Sequence, residues 1–381
     1  MKILFVTDLY PVKQGEKNCP LTLHRFVANW IQLKNQVDVI RPNFLLNSFL
    51  RGKVFHKNGF YEYENVRIFN VNYFSPFLFD ITKKLPTEID LKSYDIIVAH
   101  MPSGIILANK IAKKYNIPLV CGVHCSDIEI LTKLMYRFYF KKKLEEAYKN
   151  SKKIACRSFV LQKKFCELYP DLADKTFVAP SGISVVGINS PLPYPPPQGG
   201  RRTDKTPTYE PLTSHLSPLT IITCANLIKR KNVNKLILAI NDLENFELKV
   251  IGEGKELSKL RKIASKNVKF VGKISNKEVL EQMKNSHIFI LPSVKETFGM
   301  VYLEAMASGC ITVCTKDDGI DGIIKDGENG FLCEPTIEGI KEILLKIKNF
   351  EDKEKIVQNS INTAKSFCEQ NCALNYLENI K

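Results

Sequence analysis

Short uninterrupted apolar runs alternate with amphipathic stretches along most of this chain. In the first half KILFVT is followed by LTLHRFVANWIQL, VDVIRP, DIIVAH, GIILANKIAKKY and PLVCGVH. Apolar runs of strand length set between segments of helical period are what a parallel sheet covered by helices on both faces requires. The second half repeats the pattern as LTIITCA, NKLILAI, LKVIG, KELSKLRKIA, VKFVG, NKEVLEQMK, IFILPS, MVYLEAMA and ITVCT. Two doubly wound α/β domains are predicted. In such sheets ligands sit beyond the carboxyl ends of the strands, which singles out Thr7, His100 and His124 in the first half.

A chain of 381 residues exceeds what one hydrophobic core usually organises, which agrees with two domains. Between them the text PLPYPPPQGGRRTDKTPTYEPLTSHLSP has neither helical nor strand period. It carries too little apolar surface to offset its ordering, so it reads as a flexible insertion. The expected organisation is an acceptor-side domain over residues 1–188, a linker over 189–218 and a ligand-binding domain over 219–360. A terminal helix over 361–381 is expected to pack back on the first domain.

Composition and charge narrow the chemistry. With 44% hydrophobic and 25% charged residues the chain can bury real cores, which excludes global disorder. The formal net charge of +15 attracts polyanions, whether nucleic acid, anionic lipid or a diphosphate. Zinc-finger spacing, RNP-like aromatic strands and a long basic arm are all lacking, so specific nucleic-acid binding is not expected. The opening apolar run ends at Thr7 and is too short for a signal peptide, and no apolar run approaches the ~20 residues that span a bilayer. A cytoplasmic protein is expected. The 11 cysteines then read as reduced thiols, and their C-x3-C pairs do not have zinc-knuckle spacing, so no metal is expected.

The segment that carries chemistry runs from Glu296 through Thr-Phe-Gly-Met-Val-Tyr-Leu to Glu304. A strand, IFILPS, leads into a loop holding Glu296, Phe298 and Gly299, and a helix starts near Met300. A helix start offers unpaired backbone N–H groups and the positive end of the dipole to an anion such as a diphosphate. Gly299 permits close backbone approach, and Glu296 and Glu304 can accept hydrogen bonds from two separated sets of hydroxyls. Taken alone, two such glutamates would be solvated charges flanking an amphipathic helix. A lone G-x-G at Gly252 and Gly254 has Leu257 where a dinucleotide fingerprint has its third glycine, and no P-loop occurs.

The stretch from Glu296 to Gly309 resembles the E-x7-E signature of the retaining glycosyltransferases of family 4, with their E-A-M-A-x-G helix. The resemblance implies a GT-B-like α/β fold, two Rossmann-like parallel-sheet domains facing across a cleft. It also implies transfer of a sugar from a nucleotide-diphosphate sugar to a glycan or lipid-linked acceptor, as in surface-polysaccharide or glycolipid synthesis, with no cofactor. It implies that Glu296 contacts the donor sugar and that Glu304 holds the ribose hydroxyls. The amides of Phe298, Gly299, Met300 and Val301 would then bind sugar and phosphate. VKFVGKISNKEVLEQMK resembles the family's base-binding strand and helix, with the backbone near Ile274 on the base.

In CANLIKRKNVNKLI, Lys231 matches the family's pyrophosphate lysine, while Asn226 stands where an arginine is usual. Asn226 can donate hydrogen bonds but brings no charge, and Arg230 is the candidate to replace it. PLVCGVHCSDIEI resembles the family's V-H-x-S-D segment, which makes His124 the histidine that faces the transferring sugar. YPVKQGEKNCP stands for the glycine-rich loop after the first strand, with Gly15 as its candidate phosphate and acceptor residue. PSGIS, with Gly182, resembles the turn that ends the first domain. Residues 131–165 are rich in lysine and aromatics, a composition suited to an anionic membrane surface, which suggests peripheral contact on the inner face of the plasma membrane. The departures at Asn226 and Gly15 motivate one rival, an inactive nucleotide-sugar-binding subunit, and a third reading is an epimerase or phosphorylase of the same two-domain shape.

Overall fold

The computed structural model describes residues 1–13, 16, 19–44, 57–73, 85, 89–133, 140–184 and 218–381. The candidate loop residue Gly15 and nearly all of the 189–218 linker lie outside these residues, as do 134–139 of the basic stretch. The chain divides into two compact units, Met1–Gly182 with Glu369–Lys381, and Ile183–Cys368.

In the first unit the strands are β1 (Lys2–Val6), β2 (Gln36–Phe44), β3 (Gly59–Tyr63), β4 (Val66–Tyr73), β5 (Ile96–Ala99), β6 (Leu119–Val123), β7 (Lys153–Cys156) and β8 (Thr176–Val178). They form one sheet in the order β3-β4-β2-β1-β5-β6-β7-β8. All neighbours are parallel except β3 and β4, which make a hairpin turned by Glu64 and Asn65 at φ 47° and 61°. Two consecutive left-handed residues match the twist of the flanking strands. The helices of this unit are α1 (Thr22–Gln32), α2 (Pro102–Tyr115), α3 (Cys125–Thr132), α4 (Lys142–Asn150) and α5 (Phe159–Leu168).

The second unit holds six parallel strands: β9 (Leu219–Cys224), β10 (Phe246–Ile251), β11 (Val268–Gly272), β12 (Ile288–Leu291), β13 (Ile311–Thr315) and β14 (Phe331–Cys333). Its helices are α6 (Val233–Asn241), α7 (Leu257–Ile263), α8 (Asn276–Lys284), α9 (Met300–Ala307), α10 (Ile337–Lys348) and α11 (Lys353–Ser366). The strand order β11-β10-β9-β12-β13-β14 is that of a doubly wound sheet, which reverses direction between β9 and β12. Connections from these two central strands leave on opposite faces, so the loops that follow them open a crevice at the carboxyl edge.

The C-terminal stretch expected as one helix over 361–381 is broken at Phe367 and Cys368, where α11 ends and α12 (Glu369–Ile380) begins. α12 belongs to the first unit. The Trp30 indole N–H donates to the Ala373 carbonyl at 3.1 Å, and Tyr376 lies edge-on to Trp30 and Phe26 at 5.1 and 5.5 Å. An indole N–H buried without an acceptor would cost about 1–3 kcal/mol, so this bond fixes the register of α12 on α1.

Candidate functional site

Each strand at the switch point of the second sheet delivers one loop. After β9, residues 225–228 lead into a 3-10 turn at Lys229–Lys231. Gly252 and Gly254 hold the neighbouring loop against this one. A Cβ on Gly252 would fall 1.9 Å from the Ala225 carbonyl oxygen, and one on Gly254 2.3 Å from that of Leu227. These two glycines therefore serve backbone packing, and the Leu227 N–H to Glu253 carbonyl bond at 2.8 Å completes the contact.

After β12, residues 292–299 lead into α9. The loop is tied to the first one: the Val294 N–H donates to the Arg230 carbonyl at 2.8 Å, and the Arg230 guanidinium lies 3.4 Å from the Lys295 carbonyl. Glu296 donates its backbone N–H to the Asp318 carboxylate at 2.9 and 3.1 Å. Its own carboxylate accepts from the Lys231 ammonium, and Arg230 stands 3.4 Å from the same oxygen. The Lys231 and Glu296 side chains are each only 12% exposed. Removing Glu296 would leave the largely desolvated Lys231 charge uncompensated, whereas Glu296 would keep Arg230 if Lys231 were removed.

Gly299 caps α9 with φ 86°, a left-handed conformation that favours glycine. The space a Cβ would need is occupied by the Tyr302 ring at 2.5 Å. Tyr302 is anchored by its hydroxyl, which donates to the Leu291 carbonyl at 2.6 Å. The absence of a side chain at Gly299 is thus required by the protein's own packing. Its missing side chain makes room for Tyr302, whose N–H donates to the Gly299 carbonyl at 3.0 Å, and the start of α9 turns the positive end of the helix dipole towards the loop. Phe298 is buried in the core, so only its backbone is available, and Met300 and Val301 are half-buried against that core.

Glu304, one turn into α9, is half-buried and accepts from the Asn276 side-chain amide at 3.3 Å. At the end of β9 the Cys224 thiol is pushed up to about 11, by burial first and then by Glu304, with Lys231 acting against the shift. Ile274, in the turn between β11 and α8, packs half-buried against the same core. Asn226 is exposed, and its carbonyl accepts from the Ile228 N–H at 2.8 Å. Asp318 and Asn276 were not anticipated. Asp318 sits in the sequence DGIDG, and only the Glu296 contact reveals its role.

The first unit has a different chemistry. His124 follows β6 and caps α3, with its backbone N–H donating to Asp127 at 2.7 Å. Its Nε2 lies 2.9 Å from His100 Nδ1, and His100 Nε2 lies 3.0 Å from the Tyr376 hydroxyl. Loss of hydration and the Arg157 guanidinium push His124 down to about 3, so the imidazole is neutral near pH 7. Arg157 is buried and donates to the Ala179 carbonyl at 2.6 Å and to the Ser181 hydroxyl. Asp127, also buried, has its carboxyl pushed up to about 8 by burial, and its Oδ1 has no hydrogen-bond partner among the described residues. Gly182 is the last residue of this part of the chain.

Comparison with known proteins gives this arrangement its family. Residues 208–367 match the family "Glycosyl transferases group 1", and residues 22–186 match "Glycosyltransferase Family 4". An uncharacterised glycosyltransferase of Methanocaldococcus jannaschii is 28% identical, over 98% of this chain and 96% of that protein. A probable sucrose-phosphate synthase of Thermosipho melanesiensis is 27% identical, over 75% of this chain and 70% of its own length. The Anabaena protein HepE, solved in complex with UDP, superposes with a TM-score of 0.69 at 17% identity, covering 99% of both chains. The same Anabaena protein in complex with UDP-glucose gives 0.65 at 16% identity, covering 99% of this chain and 98% of that one. Two family matches that together span both units, and the shared GT-B fold, identify the chain as a glycosyltransferase of the family 4 type.

Proposed function

We propose that the chain transfers a hexose, with retention of configuration, from a nucleoside-diphosphate sugar to a glycan or lipid-linked acceptor. The observation that carries this reading is the convergence of Lys231, Glu296 and the start of α9 at the switch point of the second sheet. A bound diphosphate would compete with Glu296 for Lys231. It would also sit at the positive end of the α9 dipole, where fixed charge stabilises what develops on the leaving group. Glu296 would then be free to accept from sugar hydroxyls and Glu304 from the ribose, with the base near Ile274. Lys231, Arg230 and the start of α9 supply the positive charge, so the proposed step needs no metal, and activity should survive a chelator.

UDP-glucose is the first donor to test, since the Anabaena relative was solved with it. Release of UDP that depends on Lys231 and Glu296 supports the reading. Binding without turnover across a panel of UDP-, GDP- and ADP-sugars would replace it with a binding subunit.

The acceptor side includes His124 and a peripheral contact with an anionic bilayer through Lys141, Lys142 and Lys143 at the start of α4. Among the described residues no helix is long and apolar enough to cross a membrane. Replacing the three lysines with glutamate should release the protein from anionic vesicles, because each cation near such a surface contributes about 1 kcal/mol. Equal binding before and after the change would remove the membrane from the proposal.

A further inference from the structure

The line of side chains behind His124 assigns a role to two residues outside the family motif. His124 is half-buried, whereas His100 and Tyr376 are fully buried. The contacts run His124 Nε2 to His100 Nδ1 at 2.9 Å, then His100 Nε2 to the Tyr376 hydroxyl at 3.0 Å. The fold reserves space for this line. A Cβ on Gly122 would fall 2.1 Å from His100 Nδ1, so any other residue there would displace the ring. Tyr376 is wedged between Trp30, Phe26 and Phe177, with ring centroids at 5.1, 5.5 and 5.4 Å.

Two neutral imidazoles joined nitrogen to nitrogen hold one proton between them, because one ring must donate and the other accept. Burial and Arg157 keep both rings neutral. Their tautomers are therefore coupled. If His100 carries its proton on Nδ1, its Nε2 accepts from Tyr376, and His124 carries its own proton on Nδ1. In the opposite order His124 carries it on Nε2 and Tyr376 accepts. Among the described residues the Tyr376 hydroxyl bonds to His100 alone, so the phenol acts on the order of the whole line.

We propose that His100 and Tyr376 are positioning residues that fix the ring orientation and tautomer of His124. The last helix of the chain thereby sets which ring nitrogen of His124 carries its proton. This rests on the reading of His124 as part of the transfer site, but the proton order can be measured without any substrate.

The chain has 6 histidines, few enough to assign by single substitution in a 15N-histidine-labelled sample. Tyr376→Phe keeps the aromatic packing and removes only the hydroxyl. The Nδ1 and Nε2 shifts of both His100 and His124 should change in this variant, although the hydroxyl touches only His100. An unchanged His124 pattern would overturn the proposal. With UDP-glucose as the probe, Tyr376→Phe and His100→Gln should each lower kcat about tenfold at unchanged KM, the signature of a misoriented group. In a His124→Ala background Tyr376→Phe should have no further effect, and an additive loss would contradict the relay. If the wild type released no UDP, the donor assignment alone would fail, since the NMR comparison decides the relay in either case.

Discussion

The switch points of the two sheets carry opposite electrostatic designs. In the second unit Lys231, Arg230, Glu296 and Asp318 are charged side chains held by one another or by backbone, the pairs that a bound diphosphate would exchange under the proposed function. In the first unit the half-buried His124 and the buried His100 and Tyr376 form a neutral line bonded end to end. A paired but exchangeable charge suits the binding of a diphosphate, because the ion pair keeps the lysine in place until a stronger anion arrives. A neutral network suits orientation, because moving any member leaves a buried polar group without its partner.

The comparison is broken most directly at Lys231. Lys231→Ala should lower kcat about 100-fold or more, the scale seen when a preorganised group on the leaving charge is lost. Glu296→Gln should cost at least about tenfold. Nucleotide release under saturating donor measures both, and near-normal turnover would remove the residue from the site. Next in size, Gly252→Ala should destabilise the second unit by about 2 kcal/mol, since its Cβ meets the Ala225 carbonyl as well as an unfavourable φ. Gly272→Ala, at φ 83° with nothing within 4 Å, should cost only the strain, about 1 kcal/mol. Denaturant unfolding of the two variants reads the difference, and equal losses would deny Gly252 its packing role.

Glu304→Ala should weaken nucleotide affinity about tenfold, or 1.4 kcal/mol, with a smaller effect on kcat, because ribose contacts act on ground and transition states alike. Unchanged affinity would contradict the ribose assignment. The smallest effect sharpens the contrast through pH. His100, His124 and His287 are all pushed down by burial, so the unfolded chain takes up protons below its ordinary histidine range that the folded chain refuses. Stability should fall as pH drops from about 6.5 towards 4. Asp127 acts the other way, since its carboxyl, raised to about 8, is protonated in the folded state first, but it is one group against three. Thermal unfolding across that window checks the sign, and His100→Gln should flatten the slope.

Much of this was legible in the sequence because strands buried on both faces must be apolar throughout. The parallel strands, the helix after Glu296 and the strand-end positions of His100 and His124 follow from that pattern. The hairpin of β3 and β4 was not anticipated, although FYEYENVRIF carries an alternation and a turn-forming Asn65. What sequence could not show is pairing at a distance. Glu296 meets Lys231 from 65 residues away and His100 meets Tyr376 from 276 away, and nothing local in either segment specifies the partner. The glycines at 252, 254 and 299 were visible as glycines, but only the neighbouring atoms show that they face protein.

The central claim is that the crevice between the loops after β9 and β12 holds the donor nucleotide. Calorimetric titration of UDP, GDP and ADP into the wild type, Lys231→Ala and Glu304→Ala proteins tests it with no acceptor required. At least one nucleotide should bind the wild type and lose about tenfold or more in affinity in each variant. Equal binding by all three proteins, or binding lost only when His124 or His100 is changed, would contradict it.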